Sequence, residues 1–141
     1  MTRNHNRDSA FFNRADRHCL PGSLGIRSLE LNSEKSVLEM EITDNLMNFN
    51  GFVHGGSIVT LADTAAGYGC FSNLPEGATS FTTLELKCNF IGTARSEKIR
   101  CTATCIHRGK TTQVWDATVF DGNTDKVIAE FRCTQLILYP K

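Results

Sequence analysis

The sequence predicts an α+β fold in which an antiparallel β-sheet wraps around one long central helix. Beyond Gly22, apolar and polar residues alternate along most of the chain, which is typical of half-buried strands. Residues 56–73 differ, because their apolar side chains recur at intervals of three and four, the period of a helix. Short turn signals join the strands, so neighbouring strands are expected to run antiparallel.

The predicted elements begin with a short helix over residues 9–18. Two strands follow, SLGIRSLELN and SVLEMEIT, on either side of the polar hairpin at residues 32–35. The central helix comes next and ends before Pro75-Glu76-Gly77. The chain then gives four more strands: TSFTTLELKCNFI, KIRCTATCIH, TTQVWDATVF and VIAEFRCTQLIL. In the first of these four, Leu84, Leu86, Cys88 and Phe90 form the apolar face of a half-buried strand.

The chain of 141 residues has the usual size of one domain. It contains no repeat, low-complexity tract or linker, so we expect a single domain over residues 1–141, with residues 1–20 as an N-terminal helix or arm. Lys plus Arg and Asp plus Glu each total 15, which argues against nucleic acid or a membrane as partner. No signal peptide or long apolar run is visible, so we expect a cytoplasmic protein.

Six cysteines are scattered among apolar positions without any C-x-x-C pair, and this favours small buried thiols. Cys101, Cys105 and His107 resemble metal ligands in spacing. On a strand, however, the two thiols would lie roughly 13 Å apart, too far for one zinc ion. We therefore expect neither a metal nor a cofactor.

The central helix carries one carboxylate, Asp63, among apolar and small residues. The small residues let strands approach on several sides, as in a buried helix; they are Ala62, Ala65, Ala66, Gly67 and Gly69. An acid in an apolar wall is a stronger base than one in water. At the other end of the helix, near Gly55, unpaired amides lie at the positive end of the helix dipole and suit an oxygen that gains negative charge.

A motif precedes and enters this helix in the order N-x-x-G-x-x-H-G-G-x-x-x-x-L-x-D, from Asn48 to Asp63. It resembles the hotdog-fold acyl-CoA thioesterases of the phenylacetate-degradation (PaaI-like) type. TLELKCNFIGTA and HRGKTT are similar to later parts of that family, so the resemblance covers residues 24–138. The segment NFIGTA lacks the proline often found after this strand in the family. Asn50 and Phe52 occupy variable positions of the motif loop, where they are candidates to line the acyl pocket.

The resemblance implies a catalytic set. Asn48, His54 and the Gly55 N–H would bind and polarise the thioester oxygen, while Asp63 activates water or attacks as a nucleophile. Thr83 matches the position that helps to hold the water.

The resemblance also implies a site for the CoA phosphates. The HRGKTT turn, with Arg108, Gly109 and Lys110, would face them, since two cations suit phosphate. Acyl-CoA is the implied substrate.

Each of these residues has a structural alternative: a surface helix acid for Asp63, a helix cap for His54, a turn for Asn48, a strand residue for Thr83 and a solvated hairpin for Arg108 and Lys110. Two other functions also stay open. One is a hotdog hydratase or dehydratase, and the other is a non-catalytic acyl-CoA binding or sensing protein.

Helix geometry adds a prediction about assembly. Asp63 lies eight residues beyond Gly55, which is roughly 12 Å along one axis, so the two cannot act on the same carbonyl. We therefore expect a homodimer with two composite sites, and further association into a tetramer as a dimer of dimers.

Overall fold

The computed structural model describes residues 7–141. Two short helices, α1 (Ser9–Ala15) and α2 (Leu20–Ser23), precede β1 (Arg27–Leu31) and β2 (Lys35–Glu41). A single 3₁₀ turn (Asp44–Leu46) leads into the long helix α3 (Gly55–Ser72). The chain ends with four strands: β3 (Ser80–Phe90), β4 (Lys98–Arg108), β5 (Thr112–Asp121) and β6 (Val127–Leu138).

The six strands form one antiparallel sheet in the order β1-β2-β4-β5-β6-β3, and α3 packs across it. The predicted fold class, a sheet around a central helix, is confirmed. The close approach of helix and sheet depends on small residues, as at Gly69, where an added Cβ would lie 2.5 Å from the Trp115 ring. Both residues are buried where the helix meets the sheet.

Five predicted strands agree with the structure to within two residues at each end, whereas the first, expected from Ser23, begins only at Arg27 because Ser23 belongs to α2. The predicted burial of β3 is wrong for the single chain. β3 is an edge strand that pairs with β6, and its apolar side chains Leu84 and Phe90 are 56% and 52% exposed. Leu86 is exposed as well, and only Cys88 is partly buried. The reason is position: alternation shows that a face is apolar, but not whether the same chain covers it.

The predicted N-terminal helix over residues 9–18 is present as α1 but ends at Ala15, and α2 follows outside the predicted range. Residues 1–6 of the predicted arm lie outside the described residues. Asp8 caps α1 by accepting a hydrogen bond from the Phe11 N–H at 2.9 Å. The Asn13 side chain then binds both the N–H and the carbonyl of Ser28, at 2.8 and 3.0 Å. These bonds fix α1 against β1.

The prediction that the cysteines are small buried thiols is confirmed in part. Cys70, Cys101 and Cys133 are buried, Cys88 and Cys105 are half-buried, and Cys19 is exposed; all six are unpaired. Among residues 7–141, no helix is long and apolar enough to cross a bilayer, and no group of three side chains is arranged to hold a metal ion.

Candidate active site

A tight loop places Asn48 just before the central helix. Met47 and Val53 form an isolated bridge, and the Asn48 N–H donates to the Phe52 carbonyl at 2.8 Å. Gly51 has φ of +85°, a left-handed conformation that other residues rarely adopt. The side-chain oxygen of Asn48 is buried and has no hydrogen-bond partner within the described chain. The unpaired atom is an acceptor, so it calls for a hydrogen-bond donor that the described chain does not supply.

His54 caps α3, and its ring accepts a hydrogen bond at Nδ1 from the Gly56 N–H at 2.8 Å. In the neutral ring, this acceptor role places the proton on Nε2, which leaves Nε2 as a donor. The structural alternative for His54, a cap, is therefore realised, and it still permits contact with a substrate.

The Gly55 N–H is an open donor at the start of α3. The His54 carbonyl accepts from the N–H groups of Ser57 and Ile58, whereas the Gly55 N–H has no acceptor among residues 7–141. The Phe90 ring lies beside it, 3.0 Å from where a Cβ would be. A side chain at this position would displace the ring, so the close approach of Phe90 to the start of α3 depends on glycine here.

Asp63 lies on the same helix, two turns further on. It is half-buried, and its Oδ1 atom is buried without a hydrogen-bond partner in the part of the chain that the structure describes. Burial raises the pKa of this carboxyl group above its ordinary value. The carboxylate is thus a stronger base than an exposed one.

Asp63 and Thr83 line one pocket of about 290 Å³. Most of the remaining wall is aromatic or small: Phe12, Pro21, Gly67, Tyr68, Phe71 and Phe81. Two polar side chains, Asp16 and Thr64, complete it. The sequence analysis identified Asp63 and Thr83 for this site but none of the aromatic residues. Helical spacing could have indicated Gly67 and Phe71, which follow Asp63 at steps of four residues.

Thr83 is held by a buried partner on the neighbouring strand. Its Oγ1 donates to the Gln135 Oε1 at 2.7 Å, and the Gln135 side chain is fully buried. Because the hydroxyl hydrogen is used in this bond, the oxygen is left as an acceptor. Thr83 can accept a hydrogen bond from a water molecule in the pocket. Gln135 is a further site residue that the sequence analysis missed.

The predicted phosphate-binding turn lies away from this pocket. The Gly109 N–H donates to the Thr112 carbonyl at 2.9 Å, and the Arg108 guanidinium donates to the Ser33 carbonyl at 2.5 Å. The Lys110 carbonyl accepts from the Tyr139 hydroxyl at 2.5 Å. None of these three turn residues lines the Asp63 pocket, and their role toward CoA stays a prediction.

The structure therefore divides the predicted catalytic residues into two groups. One group lies at the N-terminal end of α3: Asn48, His54 and Gly55. The other group, Asp63 and Thr83, shares the aromatic pocket.

The antiparallel sheet around a long helix is a hotdog fold, with a carboxylate pocket beside the helix. The model of the thioesterase superfamily matches residues 50–128. The chain belongs to this superfamily, and the resemblance to its PaaI-like members is confirmed.

Relatives of known name agree with this assignment. The chain is 32% identical to a 1,4-dihydroxy-2-naphthoyl-CoA hydrolase of Listeria monocytogenes, over 82% of this chain and 92% of that one. It is also 32% identical to the acyl-coenzyme A thioesterase PaaI of Escherichia coli, over 78% of this chain and 76% of that one.

Solved structures agree as well. The Escherichia coli PaaI protein superposes with a TM-score of 0.80 at 26% identity, over 92% of this chain and 91% of that one. A thioesterase family protein from Silicibacter pomeroyi gives a TM-score of 0.82 at 29% identity, over 94% and 99% of the two chains.

Proposed function

We propose that this thioester hydrolase acts on acyl-CoA and releases the free acid and CoA by attack of a water molecule that Asp63 activates. The observation that carries this proposal is the buried, unpartnered Asp63 Oδ1 in the same pocket as Thr83. Membership of the thioesterase superfamily favours hydrolysis over hydration chemistry or binding alone. The names of the two relatives support acyl-CoA as the class of substrate.

The attacking water would be held by two acceptors. It donates one hydrogen to the Asp63 carboxylate and the other to Thr83 Oγ1, which leaves an oxygen lone pair free to attack the thioester carbon. As the C–O bond forms, Asp63 takes the proton. When the tetrahedral intermediate collapses, the C–S bond breaks and the thiolate of CoA takes that proton. Direct attack by Asp63 on the carbon, followed by hydrolysis of the anhydride, is the alternative role of this carboxylate.

The negative charge on the thioester oxygen would be stabilised at the start of α3. The Gly55 N–H and the Nε2–H of His54 are available donors there, and the Asn48 side chain would bind the same oxygen through its amide N–H. Donors fixed before the reaction stabilise an oxyanion at little cost of reorganisation.

The two groups of residues must then come from different chains. Gly55 and Asp63 are separated by roughly 12 Å along α3, so we propose a homodimer in which one protomer supplies the oxyanion donors and its partner supplies Asp63 and Thr83. The edge strand β3 supports this proposal, because it offers unpaired backbone groups together with exposed Leu84 and Leu86. Pairing of two dimers into a tetramer extends the proposal.

The remaining parts of the proposal concern CoA and location. Arg108 and Lys110 would contact the phosphates of CoA at the exposed β4–β5 turn. Gly109 lies between them, where an added Cβ would be 2.8 Å from the His107 ring. A cytoplasmic location fits the six unpaired cysteines, since thiols stay reduced in that compartment.

The test is the release of free thiol from a panel of acyl-CoA esters. We expect Asp63→Asn to lower kcat by about 10²- to 10⁴-fold with a much smaller effect on KM, because the shape is kept and the base is lost. Asp125→Asn is the matched control; Asp125 is an exposed turn residue with φ of 58°, a conformation that asparagine also adopts. If Asp63→Asn keeps more than half of the wild-type rate, Asp63 is not the base.

A further inference from the structure

The Asp63 pocket is closed on one side by the beginning of the chain. The N-terminal arm, residues 7–23, comprises α1 and α2, and three of its residues line the pocket: Phe12, Asp16 and Pro21. No part of the family motif lies in this arm. Its contribution to the pocket is a feature of the tertiary structure alone.

The arm is fixed in place at several points. The hydroxyls of Ser9 and Ser28 hydrogen-bond at 2.7 Å, next to the two bonds between Asn13 and the Ser28 backbone. Arg7 donates to the Phe71 carbonyl at 3.2 Å, and its guanidinium lies 3.8 Å from the centre of the Phe71 ring. With this many contacts, the arm acts as a wall of the pocket.

Phe12 forms the aromatic part of that wall. Its ring stacks on the Tyr68 ring with 4.0 Å between the centroids, and it meets the Phe71 ring edge-on at 6.1 Å. The Tyr68 hydroxyl donates to the Asp16 carboxylate, which ties α3 to the arm beside Phe12. The Phe12 side chain is only 6% exposed, so the end of the pocket is densely packed.

Gly67 limits the pocket from the helix side. It lies one turn beyond Asp63, and an added Cβ would be 3.2 Å from the Phe81 ring. The missing side chain therefore keeps the space between α3 and β3 open. The resulting volume of about 290 Å³ is about twice the roughly 150 Å³ of a cavity that binds benzene.

We propose that the N-terminal arm is the end wall of the acyl pocket, and that Phe12 and Gly67 set the largest acyl group that the enzyme accepts. This inference rests on the proposed function, in which the Asp63 pocket receives the acyl group. Phe12 limits the depth of the pocket because its ring fills the end, and Gly67 preserves the width because it has no side chain.

The test compares kcat/KM for acetyl-, hexanoyl- and dodecanoyl-CoA. Phe12→Ala should raise the ratio of dodecanoyl to hexanoyl at least tenfold, because each methylene that gains a buried place contributes about fourfold. Phe11→Ala is the matched control: Phe11 packs edge-on against Phe12 at 5.1 Å but does not line the pocket. That variant should keep the wild-type ratio.

Gly67→Ala tests the opposite direction. Alanine has a higher helix propensity than glycine, so the variant should fold. The added methyl group narrows the pocket. We expect the ratio of hexanoyl to acetyl to fall about tenfold. If Phe12→Ala fails to fold, the Gly67→Ala result decides alone.

Two outcomes separate this inference from the proposed function. An unchanged acyl-length profile in both folded variants, with Asp63→Asn inactive, overturns the role of the arm and leaves Asp63 as the base. An active Asp63→Asn overturns the proposed mechanism, whatever the acyl-length profile shows.

Discussion

Restoration of activity in mixed dimers is the sharpest test of a site shared between two chains. The perturbation uses two nearly inactive variants, Asn48→Ala and Asp63→Ala, mixed in equal amounts under conditions where subunits exchange. The structure puts Asn48 before the first turn of α3 and Asp63 in the pocket further along the same helix. A water that attacks the carbonyl carbon must lie about 3 Å from it and from its base, and one chain cannot meet both conditions across roughly 12 Å of helix.

The expected magnitude follows from the two-fold symmetry of the dimer. A mixed dimer has one site that combines two intact halves and one site that carries both substitutions. With random exchange, about half of the dimers are mixed, and each of these has one of its two sites working. About a quarter of the wild-type activity should therefore return.

The assay follows thiol release while native mass measurement counts the mixed dimers. A mixture of Asp63→Ala with Asp63→Asn is the control, because both substitutions lie in the same half of the site and no activity should return. If mixed dimers form and activity stays at the level of the separate variants, the site is not shared in this way, and a different base must be sought.

Three further predictions concern binding and stability. Arg108→Ala and Lys110→Ala should raise KM for CoA esters and leave N-acetylcysteamine thioesters nearly unaffected, because these lack the phosphates; equal losses on both would contradict the contact. Burial raises the pKa of Asp63, so its negative charge destabilises the folded state at pH values above the ordinary pKa of an aspartate. Asp63→Asn should therefore raise Tm at pH 7. This gain should vanish near pH 3, where both side chains are neutral. Asp121→Asn should lower the free energy of unfolding by about 1–3 kcal/mol at pH 7. The Arg95 N–H, donating at 2.6 Å, holds the pKa of Asp121 below its usual range, so in urea titrations this loss should shrink as the pH falls below about 4.

Several features of the fold could be predicted because their causes are local. The helical period of small and apolar residues predicted α3 to within one residue at each end, and alternation with turn signals predicted six strands. The motif from Asn48 to Asp63 predicted the thioesterase family, which the comparison confirmed. The roles of the individual site residues stay predictions.

The sequence by itself determined most of the secondary structure and the place of one carboxylate within an apolar helix, since spacing along the chain expresses both, and the resemblance of its motif indicated the family. Only the tertiary structure decided that β3 forms the edge of the sheet, where its apolar face is left uncovered by its own chain. It also brought Phe12 onto Tyr68 and Thr83 onto Gln135. Such pairs are far apart in sequence and depend on how helices and strands pack, and no local periodicity encodes that packing.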